Sequence, residues 1–232
     1  MKLRVFYTVY FSALAAECFA NLTANLALQF VTKPSLMLIL LVYFAVKSRN
    51  LIGLKFLTVG GLAFSWFGDI ILLLDKIHKN LFIFGLLAFL IAHLFYIFYF
   101  LRIRKYNQNK NSLKPIAIIA VTAYLTVFYA LLFPHLGNLK IPVFIYGAII
   151  SLMLLASFHA FDFAKQNFGA TCVSGAVLFV ASDSLLAINR FVAPFAFASV
   201  FIMLTYGIGQ FLITEGSLRN LREIPKISNP KI

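Results

Sequence analysis

The sequence predicts an all-α fold: a polytopic transmembrane bundle of about eight helices with both termini in the cytoplasm. Three observations predict it. First, 62% of the 232 residues are hydrophobic and only 12% are charged, against about 25% charged in a soluble domain. Second, apolar runs of about 20 residues recur with short connections, the length of membrane helices; barrel strands would be about ten residues long and would alternate. Third, Lys and Arg are placed unevenly. Of the 20, five (Lys33, Lys76, Lys79, Lys140 and Arg190) fall at one face and the other fifteen at the face holding the termini, and the richer side reads as cytoplasmic. The net charge of +13 is distributed between the spans. It therefore reads as topology and headgroup contact, not as a nucleic-acid patch. Cys18 and Cys172 fall inside spans and have neither metal spacing nor a disulfide framework.

The spans are expected at 4–21, 25–47, 54–75, 80–102, 114–134, 141–161, 169–190 and 194–215. Residues 1–216 then form one transmembrane domain, and 217–232 a polar, frayed cytoplasmic tail with two prolines. The first span has the basic start of a signal peptide. Glu17 interrupts the stretch where small residues would precede cleavage, so it reads as a retained helix in a bacterial inner membrane. Glu17 lies near its outer end, followed by Asn21 and Asn25. The second span carries Lys33-Pro34. Proline removes a backbone hydrogen bond, so Lys33 sits beside a local break and either snorkels to the interface or points inward at a carboxylate or a phosphate. The third stacks Gly61, Ser65 and Asp69 at spacings of four, a face of small residues suited to close helix packing. The fourth places His93 and Tyr96 one turn apart. The fifth ends in Pro134-His135 and carries Tyr124 and Tyr129, which read as interfacial packing. The sixth holds Tyr146-Gly147, Ser151, Ser157 and His159, with a solvated Asp162 at its inner boundary. The seventh stacks Gly175, Phe179 and Asp183. In the eighth, Tyr206 and Gln210 lie one turn apart among Gly207 and Gly209; Gln210 either bonds a neighbouring helix or meets a ligand.

Asp69 and Asp183 organise the chain. A short aspartate inside an apolar run cannot reach water, and an ionisable group at membrane depth is a functional-site candidate. At 1.5 Å per residue, Asp69 lies about 9 Å inside Asp75, Asp183 about 10 Å inside Arg190 and Lys33 about 12 Å below Asn25. His93 and Tyr206 lie deeper, about 18–20 Å from the outer ends of their helices. Together they describe a polar-walled pocket opening toward the outer leaflet or water. The two aspartates are four spans apart, each followed one span later by a tyrosine, Tyr96 and Tyr206. A parallel duplication of four helices would produce that pattern.

Taken in order, Thr32-Lys33-Pro34, Phe67-Gly68-Asp69, Phe84-Gly85 through His93 to Tyr96, Tyr146-Gly147, Gly175 through Phe179 to Ser182-Asp183, and Tyr206 to Gln210 resemble the YhhN-like membrane family that includes the lysoplasmalogenases. The resemblance runs over most of the chain and implies catalytic roles for Asp69 and Asp183. It implies hydrolysis of the vinyl ether bond of a lysoplasmalogen, giving a fatty aldehyde and glycerophosphoethanolamine or glycerophosphocholine. The residue types suit that chemistry. A vinyl ether hydrolyses by protonation at its β carbon, and water captures the resulting oxocarbenium ion. One carboxyl acts as acid and a second steadies the cation and activates water, as in glycosidases. Lys33, His93, Tyr96, Tyr206, Gln210 and Glu17 are the candidate substrate-binding residues, and the partner is the lysophospholipid itself. No cofactor or metal, nucleic acid or obligate protein partner is implied. The chain has no Gly-x-Ser-x-Gly and no His-Glu-x-x-His motif, and its four histidines fall at different depths. Two other readings suit buried Asp, Lys and His: a proton-coupled transporter, and a non-catalytic lipid-binding protein in which the aspartates pair with Lys33 to hold helices.

Overall fold

The computed structural model describes residues 3–51, 53–78, 80–106, 114–161 and 167–228. Lys2, Lys79, Lys110, Asp162, Lys165 and Lys231, which enter the topology reading, lie outside these residues. Eight helices among the described residues are long and apolar enough to cross a membrane. They are α1 (Leu3–Leu22), α2 (Leu26–Lys47), α3 (Lys55–Leu74), α4 (Phe82–Tyr106), α5 (Pro115–Leu132), α6 (Lys140–Ala160), α7 (Asn167–Ala187) and α8 (Ala198–Ser228). The chain is a multi-pass integral membrane protein. Only helices of this length satisfy their own backbone in hydrocarbon, and large apolar side chains such as Val31, Phe56, Ile116, Val127 and Ile141 face outward.

Local chemistry sets several of the boundaries. The Asn25 side chain accepts from the Leu28 amide at 3.0 Å and starts α2. Asp75 does the same for α4, accepting from the amides of Leu81 at 2.9 Å and Phe82 at 3.0 Å. Pro115 opens α5, where its missing N–H costs nothing. His159 Nε2 accepts from the Lys114 amide at 2.8 Å and ties the start of α5 to the end of α6. A five-residue π-helical turn, Ile188–Val192, ends α7. Such turns occur often at functional sites.

The most extensive helix contacts are α7 with α8 and α3 with α4. Small residues make both possible. A Cβ at Gly175 would lie 2.7 Å from the Gly209 carbonyl oxygen and 2.7 Å from the Ile213 nitrogen, so the α7 and α8 backbones touch there. A Cβ at Gly61 would meet the Tyr96 ring at 2.5 Å, so the small-residue face of α3 seats an α4 tyrosine. The core runs through Phe6, Tyr10, Leu36, Phe44, Leu62, Tyr96, Phe100, Phe179 and Ile213. α5 lies at the edge and buries only Val121 and Leu132.

α8 differs from the sequence reading in length. It continues past 216 to Ser228, and Ser217, Leu218, Asn220 and Leu221 are buried. Leu218 and Leu221 carry the buried face of Ile213 on by further turns, so the helix stays packed through this part of the expected tail.

The α7–α8 contact makes a test. Gly175→Ala should lower stability by about 1–3 kcal/mol through overpacking, while Gly53→Ala, where nothing lies within 4 Å of the new carbon, should not. Thermal unfolding of both variants in one detergent checks this.

Candidate functional site

α3 buries Gly61, Ser65 and Asp69 on one face. Asp69 is only 2% exposed and has two partners. Tyr206 of α8 donates its hydroxyl to Oδ2 at 2.8 Å, and Lys33 Nζ of α2 stands 3.6 Å from Oδ1. Of the two positions the sequence left open for Lys33, the structure takes the inward one: Lys33 is 13% exposed. A buried carboxylate demands a counter-charge and hydrogen bonds, and Lys33 with Tyr206 supplies both.

Asp183 of α7 is also buried and is held by different elements. Tyr146 of α6 donates to Oδ2 at 2.7 Å. His93 of α4 brings Nε2 to 3.5 Å from the same oxygen. His93 Nδ1 lies 2.6 Å from the Phe89 carbonyl oxygen. A carbonyl only accepts, so Nδ1 carries a hydrogen and Nε2 is left to face the carboxyl. His93 Nε2 is buried without a hydrogen-bond partner and has the Asp183 carboxyl as its polar neighbour. Phe179 lies between the two aspartate systems. Its ring centroid is 4.6 Å from that of His93 and 5.4 Å from that of Tyr206. Among the described residues no hydrogen bond joins the two carboxylates.

These partners do not follow the four-span repeat. The tyrosine on Asp69 comes from α8 and the one on Asp183 from α6. Tyr96 instead donates to Gln210 Oε1 at 2.8 Å, and Gln210 Nε2 donates to Ser65 at 2.8 Å. That chain binds α3, α4 and α8 together, and neither Tyr96 nor Gln210 lines the two cavities described next.

One cavity is a polar cleft of about 720 Å³ lined by Glu17, Asn21, Lys33, Asp75, Lys76 and Arg190, with Leu72, Phe82, Leu186 and Met203. The other is an apolar cavity of about 580 Å³ among α4, α5, α6 and α7, walled by Leu86, Leu125, Phe128, Val143, Ile150 and Tyr146, with Asp183 in its lining. Phe82 and Leu186 belong to both linings, so the two spaces adjoin. A molecule with a charged head and a hydrocarbon chain matches this pair of spaces.

The ionic order of the cleft was only partly legible. Glu17 accepts from Thr32 at 2.5 Å and from Asn21 at 2.8 Å. Asp75 and Arg190, which the sequence offered only as a helix end and a counted charge, pair at 3.5 Å. Arg190 also lies over the Phe82 ring, 4.5 Å from its centroid. Lys76 donates to Gln29 at 2.5 Å. Loss of surrounding water, then the nearby Lys33 cation, lowers its ammonium from the usual lysine range, and Glu17 acts in the opposite sense. Tyr146 stood in a quoted motif without a role. Its signal was a tyrosine before a glycine inside an apolar span, which packing alone also produces.

The model of the YhhN family matches residues 28–217. The chain is 32% identical over 162 residues to the rat protein named lysoplasmalogenase TMEM86B, covering 69% of this chain and 61% of that one. It is 31% identical over 167 residues to human lysoplasmalogenase TMEM86A, covering 69% and 64%. Against a lysoplasmalogenase of Mycobacterium bovis it is 34% identical over 146 residues, covering 62% and 53%. The matched part thus spans less than two thirds of the length of these relatives. No solved structure matches the chain.

Because Asp69 and Lys33 compensate each other, Asp69→Asn and Lys33→Met should each cost about 3–5 kcal/mol, the cost of stranding a buried charge. The double variant should cost clearly less than the sum. Thermal unfolding of the four proteins measures this coupling, and additive losses would contradict the pair.

Proposed function

The chain belongs to the YhhN family, and on that premise we propose that it is a membrane-embedded lysoplasmalogenase, hydrolysing the vinyl ether bond of a lysoplasmalogen to a fatty aldehyde and a glycerophospho-alcohol. The observation that carries this reading is the adjoining of the polar cleft and the apolar cavity, with Lys33, the partner of Asp69, lining the first and Asp183 lining the second. The headgroup of a lysolipid takes the cleft, beside Lys33, Lys76 and Arg190, and its alkenyl chain takes the cavity. The ether oxygen, which lies chemically between head and chain, then falls near the Phe82–Leu186 junction.

In the proposed mechanism Asp183 is the acid. It lines the chain cavity, with His93 Nε2 3.5 Å from its Oδ2, and it delivers its proton to the β carbon of the vinyl ether. The double bond shifts toward oxygen and gives an oxocarbenium ion. Asp69 is the carboxylate, paired with Lys33 and hydrogen-bonded by Tyr206. It stabilises the cation and takes a proton from the water that attacks the α carbon. The hemiacetal so formed collapses: its hydroxyl proton returns to Asp183, the bond from the former vinyl carbon to the glycerol oxygen breaks, and that oxygen takes the proton held on Asp69. The sum is substrate plus one water giving aldehyde and alcohol. Water is the only co-reactant, and no cofactor enters. Tyr146 and Tyr206 orient the two carboxyls.

The same reading places the protein in a bacterial cytoplasmic membrane with its termini inside, so that the cleft, at the Lys- and Arg-poor end, opens outward. This is supported by three of the five outer cations, Lys33, Lys76 and Arg190, lining the cleft.

Aldehyde release from lysoplasmalogen by the detergent-purified protein tests the proposal. Asp69→Asn and Asp183→Asn should each lower the rate by about 10²–10⁴-fold, the usual worth of an acid or base, with both variants folded by thermal shift. No aldehyde from folded wild-type protein would overturn the reaction. Unaltered rates in either variant would overturn the two-carboxylate mechanism.

A further inference from the structure

Not every charge at the polar cleft sits in an ion pair. Lys33 pairs with Asp69 and Arg190 with Asp75. Two groups remain. Lys76 has a neutral partner, the Gln29 amide oxygen. Glu17 is 1% exposed, and its two oxygens accept only from the neutral Thr32 hydroxyl and the neutral Asn21 amide. Among the described residues no cation lies within ion-pair distance of Glu17. Buried carboxylates are normally matched by a positive group, and Glu17 lines the same cleft as Lys76. One unmatched anion and one unmatched cation across a cleft form the complement of a zwitterion.

We propose that Glu17 is the subsite for the ammonium of a phosphoethanolamine headgroup, with Lys76 receiving its phosphate. This rests on the lysoplasmalogenase reading for the rest of the substrate, and it adds a preference within it. Each carboxylate oxygen accepts two hydrogen bonds. The Thr32 and Asn21 bonds take one on each oxygen and leave one on each for the ligand. A primary ammonium offers three N–H donors and can fill both. A trimethylammonium offers none, and its methyl groups hold the charge away from the oxygens. The site therefore favours ethanolamine over choline. Thr32 and Asn21 also restrain the Glu17 carboxylate, so the subsite is formed before the lipid arrives.

The test uses acyl lysophospholipids, whose ester bond is not a vinyl ether, so that occupancy is read apart from turnover. Thermal stabilisation of the intact protein in neutral detergent is titrated with lysophosphatidylethanolamine, its N-methyl and N,N-dimethyl forms, and lysophosphatidylcholine. Apparent affinity should fall in steps along this series, by about tenfold or more from first to last, the worth of charge-assisted hydrogen bonds. Glu17→Gln should flatten the series, and Lys76→Gln should weaken all its members alike. Equal affinity of the wild type for the first and last lipids would overturn the subsite, and that arm needs no variant to fold. Retained steps in folded Glu17→Gln would also overturn it. Aldehyde release is followed in parallel: headgroup steps without aldehyde would support the subsite and sink the hydrolase reading, so the two failures are distinct.

Discussion

The ion pair of Lys33 and Asp69 is the interaction on which the site depends. Charge is costly within a membrane bundle, and the cost falls when opposite charges meet and their remaining hydrogen-bonding capacity is used. Here that requirement fixes three helices against one another. α2 supplies the cation, α3 the carboxylate and α8 the Tyr206 hydroxyl. α8 is held in turn by its glycine contact with α7, which carries Asp183. The position of one aspartate thus constrains the other through backbone packing and through the Phe179 ring between their partners.

The aspartates were legible because a membrane leaves few reasons for a carboxylate at depth. The span boundaries were legible for a related reason: hydrocarbon demands about 20 apolar residues, and the expected and observed helices agree within a few positions over most of the chain. What sequence did not reveal was pairing across helices. Lys33 had two positions open to it, and only the packed bundle shows it turned inward. Tyr206 was noted, yet its bond to Asp69 spans 137 positions of chain, and no local spacing reveals that. Asp75 and Arg190 sat at span ends, where charges are ordinary, so their pairing carried no signal. The length of α8 was missed because its polar residues past 216 read as a tail, although Leu218 and Leu221 keep its buried face apolar.

In the proposed reading the two cavities divide the labour that an amphiphilic substrate requires. The polar cleft retains charged residues, each satisfied by a neighbour or poised for a ligand, while the apolar cavity holds one carboxyl among hydrocarbon walls. Phe82 joins them and is itself positioned by Asp75, which caps the helix that starts at this ring. Arg190 over the ring and Phe191 beside it at 5.7 Å tie the same point to the π-helical turn of α7. Asp75, Arg190 and Phe191 therefore all hold the Phe82 end of the cleft, where the proposed reacting bond needs a fixed position.

In the proposed reaction carbon, not the glycerol oxygen, receives the first proton and then the water. Running the reaction in deuterated, heavy-oxygen water and weighing both products by mass spectrometry tests this most directly. Deuterium should appear on the carbon next to the aldehyde and no heavy oxygen in the glycerophospho-alcohol, because its carbon–oxygen bond on the glycerol side never breaks. Heavy oxygen in the alcohol, or an aldehyde without carbon-bound deuterium, would contradict it.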